Sequence, residues 1–202
     1  MPAAAPGIPG GNARHLADQA VFRAVMHAMA HPGRVNPLAT LPSEWPKPLN
    51  AGAAAVALCL VDFETPLWLD GAAHDGGAAA WLRFHTGARI TGDPCEAAFA
   101  FVTDPGNAPD FQAFALGSLD YPDRSATFVL QVEAFGSGTV RTLAGPGIKD
   151  TAPFSASPLP DDFDARLAAN RALAPRGVDF IFASSSAVAA LPRSTRLVST
   201  RG

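Results

Sequence analysis

The sequence predicts an α/β protein: a single mixed domain with a three-layer-like arrangement. Three observations carry that expectation. Apolar residues make up 48% of the 202 residues, enough for a sizeable core. Segments with apolar residues at helical spacing alternate with short strand-like runs. No internal repeat is visible, so the alternation reads as one unit over residues 12–202, preceded by a flexible Ala/Pro/Gly-rich tail over residues 1–11.

Taken in order, Ala13–Ala30 reads as a helix because Leu16, Phe22, Val25, Met26 and Met29 repeat at helical spacing, with Asn12 as N-cap. His31-Pro32-Gly33 stops it, since proline cannot continue a helix and glycine permits the turn. Ala51–Asp62 is apolar throughout. Its length and alanine content favour a buried helix over a buried strand. Pro66–Asp70 is a short strand, Gly76–Thr86 a helix ending at Gly87, and Ala98–Val102 a strand. A loop at Asp104–Asn107 and a short helix at Phe111–Leu116 follow. Thr127–Phe135 and Thr139–Ala144 are expected to pair as a hairpin around Gly136-Ser137-Gly138, with Phe128, Leu130 and Val132 on one face. A helix from Asp161 to about Leu173 and two strands, Val178–Ala183 and Val188–Val198, complete the chain.

Charge and cysteine usage narrow the class. The formal net charge is −3 and the basic residues do not cluster, which argues against nucleic acid as a partner. Thirteen arginines stand against two lysines, Lys47 and Lys149. Coding bias explains such an excess, and so does a need for guanidinium forks that grip phosphate-type oxygens. Cys59 and Cys95 lie far apart and make no metal-ligand pattern, so a reducing cytoplasm is expected. The N-terminus lacks a basic start followed by an apolar stretch, and no segment approaches about 20 apolar residues, so neither a signal peptide nor a membrane span is expected.

Candidate chemistry is sparse. His27 and His31 are four apart and could share a metal, but no third ligand is near in sequence, and a histidine at a helix C-terminus also complements the dipole. Arg83, His85 and Thr86 close one helix with three hydrogen-bond donors suited to an anion; on these residues alone a solvated helix end with Phe84 packed inward is the favoured reading. Gly145-Pro146-Gly147 lacks the spacing of a phosphate loop and reads as a tight turn. No nucleophile elbow is present. Neither lysine sits in a context that would lower its pKa for a Schiff base. No catalytic set, cofactor or metal site emerges.

Several strings, in order, nevertheless resemble the family of the H subunit of the bacterial carbon–phosphorus lyase system (PhnH). They are Phe22-Arg23 with Met29 and Pro32-Gly33, Thr65-Pro66-Leu67-Trp68-Leu69, and Leu82-Arg83-Phe84-His85-Thr86. Thr127–Val132, Arg141 and Gly145-Pro146-Gly147-Ile148 follow, then Pro175, Gly177-Val178-Asp179-Phe180-Ile181 and Leu191-Pro192-Arg193-Ser194-Thr195. Together they span residues 12–198. The alanine content and the Pro/Gly-rich tail depart from the pattern, and Lys149 falls on no motif. The resemblance implies a fold similar to pyridoxal-phosphate-dependent transferases without that cofactor's site. It also implies a homodimer, or assembly with the G, I and J subunits into a complex that joins a phosphonate to the ribose of ATP. In that picture the chain has an auxiliary role with no catalytic residue of its own. Arg83, His85, Thr86, Arg141 and Arg193 are the candidate anion-binding or interface residues, and Phe22, Trp68 and Phe84 support the fold. The alternative is a stand-alone enzyme gripping a phosphorylated ligand through Arg83, His85, Arg141 and Arg193.

Overall fold

The computed structural model describes residues 11–198. Its centre is a six-stranded sheet in the order β1 (Asn36–Pro37), β10 (Ala187–Leu191), β9 (Asp179–Ala183), β4 (Thr127–Gln131), β3 (Phe99–Val102) and β2 (Leu67–Leu69). β2, β3, β4 and β9 run parallel, while β10 is antiparallel to β9 and β1 to β10. Parallel strands are covered on both faces, so their sequences stay apolar without alternation. Phe128, Val129 and Leu130 show this directly, being consecutive and all buried. Phe128 and Leu130 join one core with Phe111, Phe154, Phe163 and Phe180. Val129 joins the other, with Val25, Val56 and Leu82.

Three helices cover the Val129 face: α1 (Gly11–Ala30), α2 (Ala51–Leu60) and α4 (Gly77–Thr86), the last preceded by the single turn α3 (Gly71–His74). Ala51–Ala57 of α2 are all buried, because the helix lies between α1, α4 and the sheet. A helix apolar all round is stable only in such a place. Small side chains let it approach closely. The N-cap Asn50 accepts from the Ala53 N–H at 2.7 Å and donates to the Ala183 carbonyl at 3.0 Å, fixing α2 to the end of β9. Gly87 ends α4 in the left-handed conformation (φ 74°), with its N–H on the Arg83 carbonyl.

The opposite face carries α5 (Phe163–Ala172), the 3-10 turn Phe111–Ala113 and two small sheets. One small sheet runs β11 (Arg196–Leu197), β6 (Arg141–Ala144), β7 (Ala152–Phe154); the other pairs β5 (Ala134–Phe135) with β8 (Ala156–Ser157). The layers are therefore helices, mixed sheet, and a third layer of helix and small sheets.

Two pairings expected from the sequence are corrected. The hairpin between the segments around Gly136-Ser137-Gly138 does not form, although the chain does turn there, at Gly136 (φ 78°) and Gly138 (φ 77°). Both edges of β4 are taken by β3 and β9, so no edge is left for β6. The last strand is also broken. Pro192 lacks a donor, the Thr195 N–H closes a turn on the Pro192 carbonyl at 2.8 Å, and β11 leaves the central sheet for β6. Smaller differences concern ends: α1 begins one residue ahead of the Asn12 cap, α2 stops at Leu60, and Phe111–Ala113 forms one 3-10 turn. The tail expected over residues 1–11 lies outside the described residues up to residue 10, and Gly11 already belongs to α1. Phe22 and Phe84 do not support the fold, being 48% and 84% exposed. Trp68 does, with its ring edge-on to Phe114 at 5.1 Å.

The two cysteines differ chemically. Burial, helped by the Asp18 carboxylate, pushes the Cys59 thiol up to about 11, whereas Cys95 is exposed. Only a thiolate attacks a disulfide reagent. Aromatic disulfide labelling at pH 8 is therefore expected to modify one thiol rapidly in the folded chain and the second only after denaturation. Rapid labelling that survives Cys95→Ser would contradict this assignment.

Candidate functional site

The five candidate residues do not converge. Arg83, His85 and Thr86 occupy the last turn of α4, on the helical face of the sheet. Arg141 and Arg193 belong to the opposite layer: the Arg141 guanidinium lies 5.1 Å over the Phe163 ring, and Arg193 reaches the start of β9.

Both of the latter arginines are engaged within the fold. Arg141 is buried in β6 and ion-paired with Asp164 in the first turn of α5, with a further bond to the Thr139 carbonyl at 3.2 Å. Arg193 donates from its backbone N–H to Asp179 Oδ1 at 2.7 Å, and its guanidinium holds the same carboxylate, the Pro122 carbonyl and the Ser125 hydroxyl. A fork spent on a carboxylate and a carbonyl has few donors left for a ligand. Thr86 is also satisfied locally: its hydroxyl donates to the Leu82 carbonyl at 2.7 Å and accepts from the Ala88 N–H at 3.1 Å.

Arg83 and His85 are exposed, but residues two apart on a helix do not face the same way. His85 packs against Trp81 with ring centroids 4.5 Å apart and the planes tilted by 43°. It lines a cleft of about 370 Å³ between α1, the loop 40–44, α2 and α4, together with Asp18, Val21, Leu41, Glu44 and Trp81. Two carboxylates on that wall make it a poor anion site. Arg83 stands instead beside the most exposed apolar groups of the described chain. Phe84 is 84% exposed and Phe63 75% exposed, and a Cβ on Gly87 would lie 3.5 Å from Phe63 Cβ, so both rings flank the end of α4. Exposed aromatics beside an arginine are the composition of a protein-binding hot spot, where burial of a ring supplies most of the affinity.

No motif in the sequence marks the edge where the parallel strands end, a place where α/β sheets commonly open a crevice. Here a crevice of about 380 Å³ is lined by Asn50, Thr103, Asp104, Gln131, Glu133 and Ser185. Much of its polar surface is spent on holding the edge together. Asp70 accepts from the Thr103 N–H and hydroxyl and from the Asp104 N–H, and Gln131 bridges the Asn50 N–H and the Pro48 carbonyl. These ties come from residues remote in sequence, so no local motif could announce them. His27 and His31 stack at 4.2 Å; His27 Nδ1 contacts Asn36 Oδ1 at 2.7 Å, tying α1 to β1. Among the described residues, no three His, Cys, Asp or Glu side chains are grouped to hold a metal, and no helix is long and apolar enough to cross a membrane. Lys47 and Lys149 are both exposed.

Fold and site together define a mixed α/β protein in which Arg141 and Arg193 brace its own layers and, among the described residues, the two most exposed rings, Phe84 and Phe63, flank one helix end. Residues 9–198 match the family described as bacterial phosphonate metabolism protein (PhnH), and the chain belongs to that family. It is 44% identical over 179 residues to the alpha-D-ribose 1-methylphosphonate 5-triphosphate synthase subunit PhnH of Rhizobium meliloti (strain 1021), covering 89% of each chain. It is 32% identical over 180 residues to the putative C-P lyase subunit protein HtxG of Stutzerimonas stutzeri, covering 89% of this chain and 85% of that one.

Proposed function

We propose that this chain is an auxiliary, non-catalytic subunit of a carbon–phosphorus lyase core complex, supporting formation of ribose 1-phosphonate 5-triphosphate from ATP and a phosphonate. Two relatives named as subunits support the reading, one of a 5-triphosphate synthase and one of a C-P lyase. The observation that carries it in this chain is the α4 end, where Phe84, Phe63 and Arg83 are presented to solvent while Arg141 and Arg193 are consumed inside. On this reading the partners are the G, I and J subunits and a second copy of the chain, the setting is the cytoplasm, and residues 12–202 act as one domain. The likeness to pyridoxal-phosphate-dependent transferases is part of the same proposal and rests on the family resemblance.

The test is size-exclusion chromatography with mass detection on the chain co-expressed with the G, I and J subunits. The wild type is expected to co-elute in one defined complex. Phe84→Ala and Arg83→Ala are each expected to weaken that association by about 2 kcal/mol, roughly thirtyfold. Both side chains are exposed, so the melting temperature is expected to stay within about 2 °C of wild type. Undiminished co-elution of the double variant would sink the assignment of this surface, and a chain that ignores all three subunits would sink the assembly role itself.

A further inference from the structure

Two glycine turns remote in the chain face each other where the end of α1 meets the third layer. His31-Pro32-Gly33-Arg34 ends α1, and Gly145-Pro146-Gly147-Ile148-Lys149 connects β6 to β7. Their backbones touch: Gly147 has φ 82°, and a Cβ there would lie 2.1 Å from the Ala30 carbonyl oxygen. Only glycine permits such an approach. Gly33 (φ 81°) donates its N–H to the Ala190 carbonyl at 3.0 Å, and the Ile148 N–H closes its own turn on Gly145 at 3.1 Å. Both turns are thus pinned, and between them lies a groove of about 400 Å³ lined by His31, Arg34, Ile148, Lys149, Asp150 and Pro153, among others.

The groove gathers two permanent cations and an imidazole against one carboxylate, in a chain of net charge −3. It also takes one of only two lysines. Arg34 and Lys149 are exposed and, among the described residues, form no ion pair. His31 Nδ1 contacts the His27 carbonyl at 3.0 Å, so that nitrogen carries the proton and Nε2 remains as the ring's other polar atom. A guanidinium fork and an ammonium on facing walls suit a tetrahedral dianion better than a planar monoanion. The volume exceeds a bare phosphate, and Ile148 and Pro153 give the remainder apolar wall.

We propose that this groove binds the phosphate group of a small phosphorylated ligand, with Arg34 and Lys149 as the charged donors. The reading is independent of the docking surface at the end of α4, which shares no residue with the groove.

The test is an NMR titration of the ¹⁵N-labelled full chain at fixed ionic strength with inorganic phosphate, glucose 6-phosphate and acetate. Saturable shifts confined to residues 31–34 and 147–151 are expected with both phosphates, glucose 6-phosphate binding the tighter. The Arg34→Ala/Lys149→Ala double variant is expected to lose at least about tenfold in affinity. Lys149→Gln alone, a change in an exposed loop, is expected to lose about fivefold with an unchanged spectrum elsewhere, and Asp150→Asn to gain about threefold by removing a like charge. Arg124→Ala, distant at the Tyr121 ring, is expected to bind as wild type. Equal shifts with acetate, shifts centred elsewhere, or wild-type affinity in Lys149→Gln and the double variant would each overturn the site.

Discussion

Gly52→Ala is expected to destabilise the chain by about 3 kcal/mol, lowering the melting temperature by roughly 6–12 °C. Gly52 is the second residue of α2, and a Cβ there would lie 1.9 Å from the Ser184 carbonyl oxygen, a backbone atom that cannot swing aside. Relief requires α2 to move away from the end of β9. That movement would stretch the Asn50 side-chain bond to the Ala183 carbonyl and the Asn50 N–H bond to Gln131 Oε1, now 3.0 and 2.6 Å. Loss of two such bonds costs about 1 kcal/mol each, on top of an overpacking cost of about 1–3 kcal/mol. Alanine's better helix propensity returns at most about 1 kcal/mol. Gly71→Ala is the control. Nothing lies within 4 Å of its added Cβ, so it is expected to leave stability unchanged or raise it by up to about 1 kcal/mol. A thermal melt distinguishes the cases, and equal melting temperatures for the two variants would refute the close-approach argument.

The sequence carried the elements better than it carried their pairing. Helical spacing located α1, alanine content separated α2 from a strand, and Gly87 placed the end of α4 correctly, because each signal is local. Sheet order is set by edges that meet across long stretches of chain. The 127–135 segment looked like half of a hairpin because a glycine pair followed it, yet β4 is claimed by β3 on one edge and β9 on the other. Nothing in residues 127–144 encodes the arrival of β9. Likewise Val188–Val198 is apolar enough for one strand, but the Arg193-Ser194-Thr195 turn transfers its last residues to β6.

The candidate site shows the same limit in chemical form. Arginine type signals a capacity for anions, but the anion that satisfies it can be internal. For Arg141 it is Asp164 and for Arg193 it is Asp179, both remote in sequence. Two family strings, Gly177–Ile181 and Leu191–Thr195, therefore meet at one structural ion pair. Phe84 fails in the opposite sense. An aromatic residue in an apolar helix reads as core, and only the packing of α4 shows that its buried face is Ala78, Ala79 and Leu82.

Asp179→Ala is expected to cost about 3 kcal/mol, and Arg193→Met a similar amount, while the double variant is expected to cost clearly less than their sum. The two side chains are 15% and 18% exposed, so either left alone keeps a largely desolvated charge. Asp179 opens β9, Arg193 follows β10, and the guanidinium also holds the Pro122 carbonyl and the Ser125 hydroxyl beside the entry to β4. One pair thus fastens the β9–β10 hairpin to the loop that feeds the middle of the sheet. Removing the carboxylate frees a guanidinium among carbonyls, and removing the guanidinium leaves a carboxylate with fewer donors. Removing both leaves neither charge, so the cycle should show coupling of about 1–3 kcal/mol by urea denaturation. Additive losses, or a single variant as stable as wild type, would mean that the pair is solvated and that the hairpin is held by Phe180 and Leu191 packing alone.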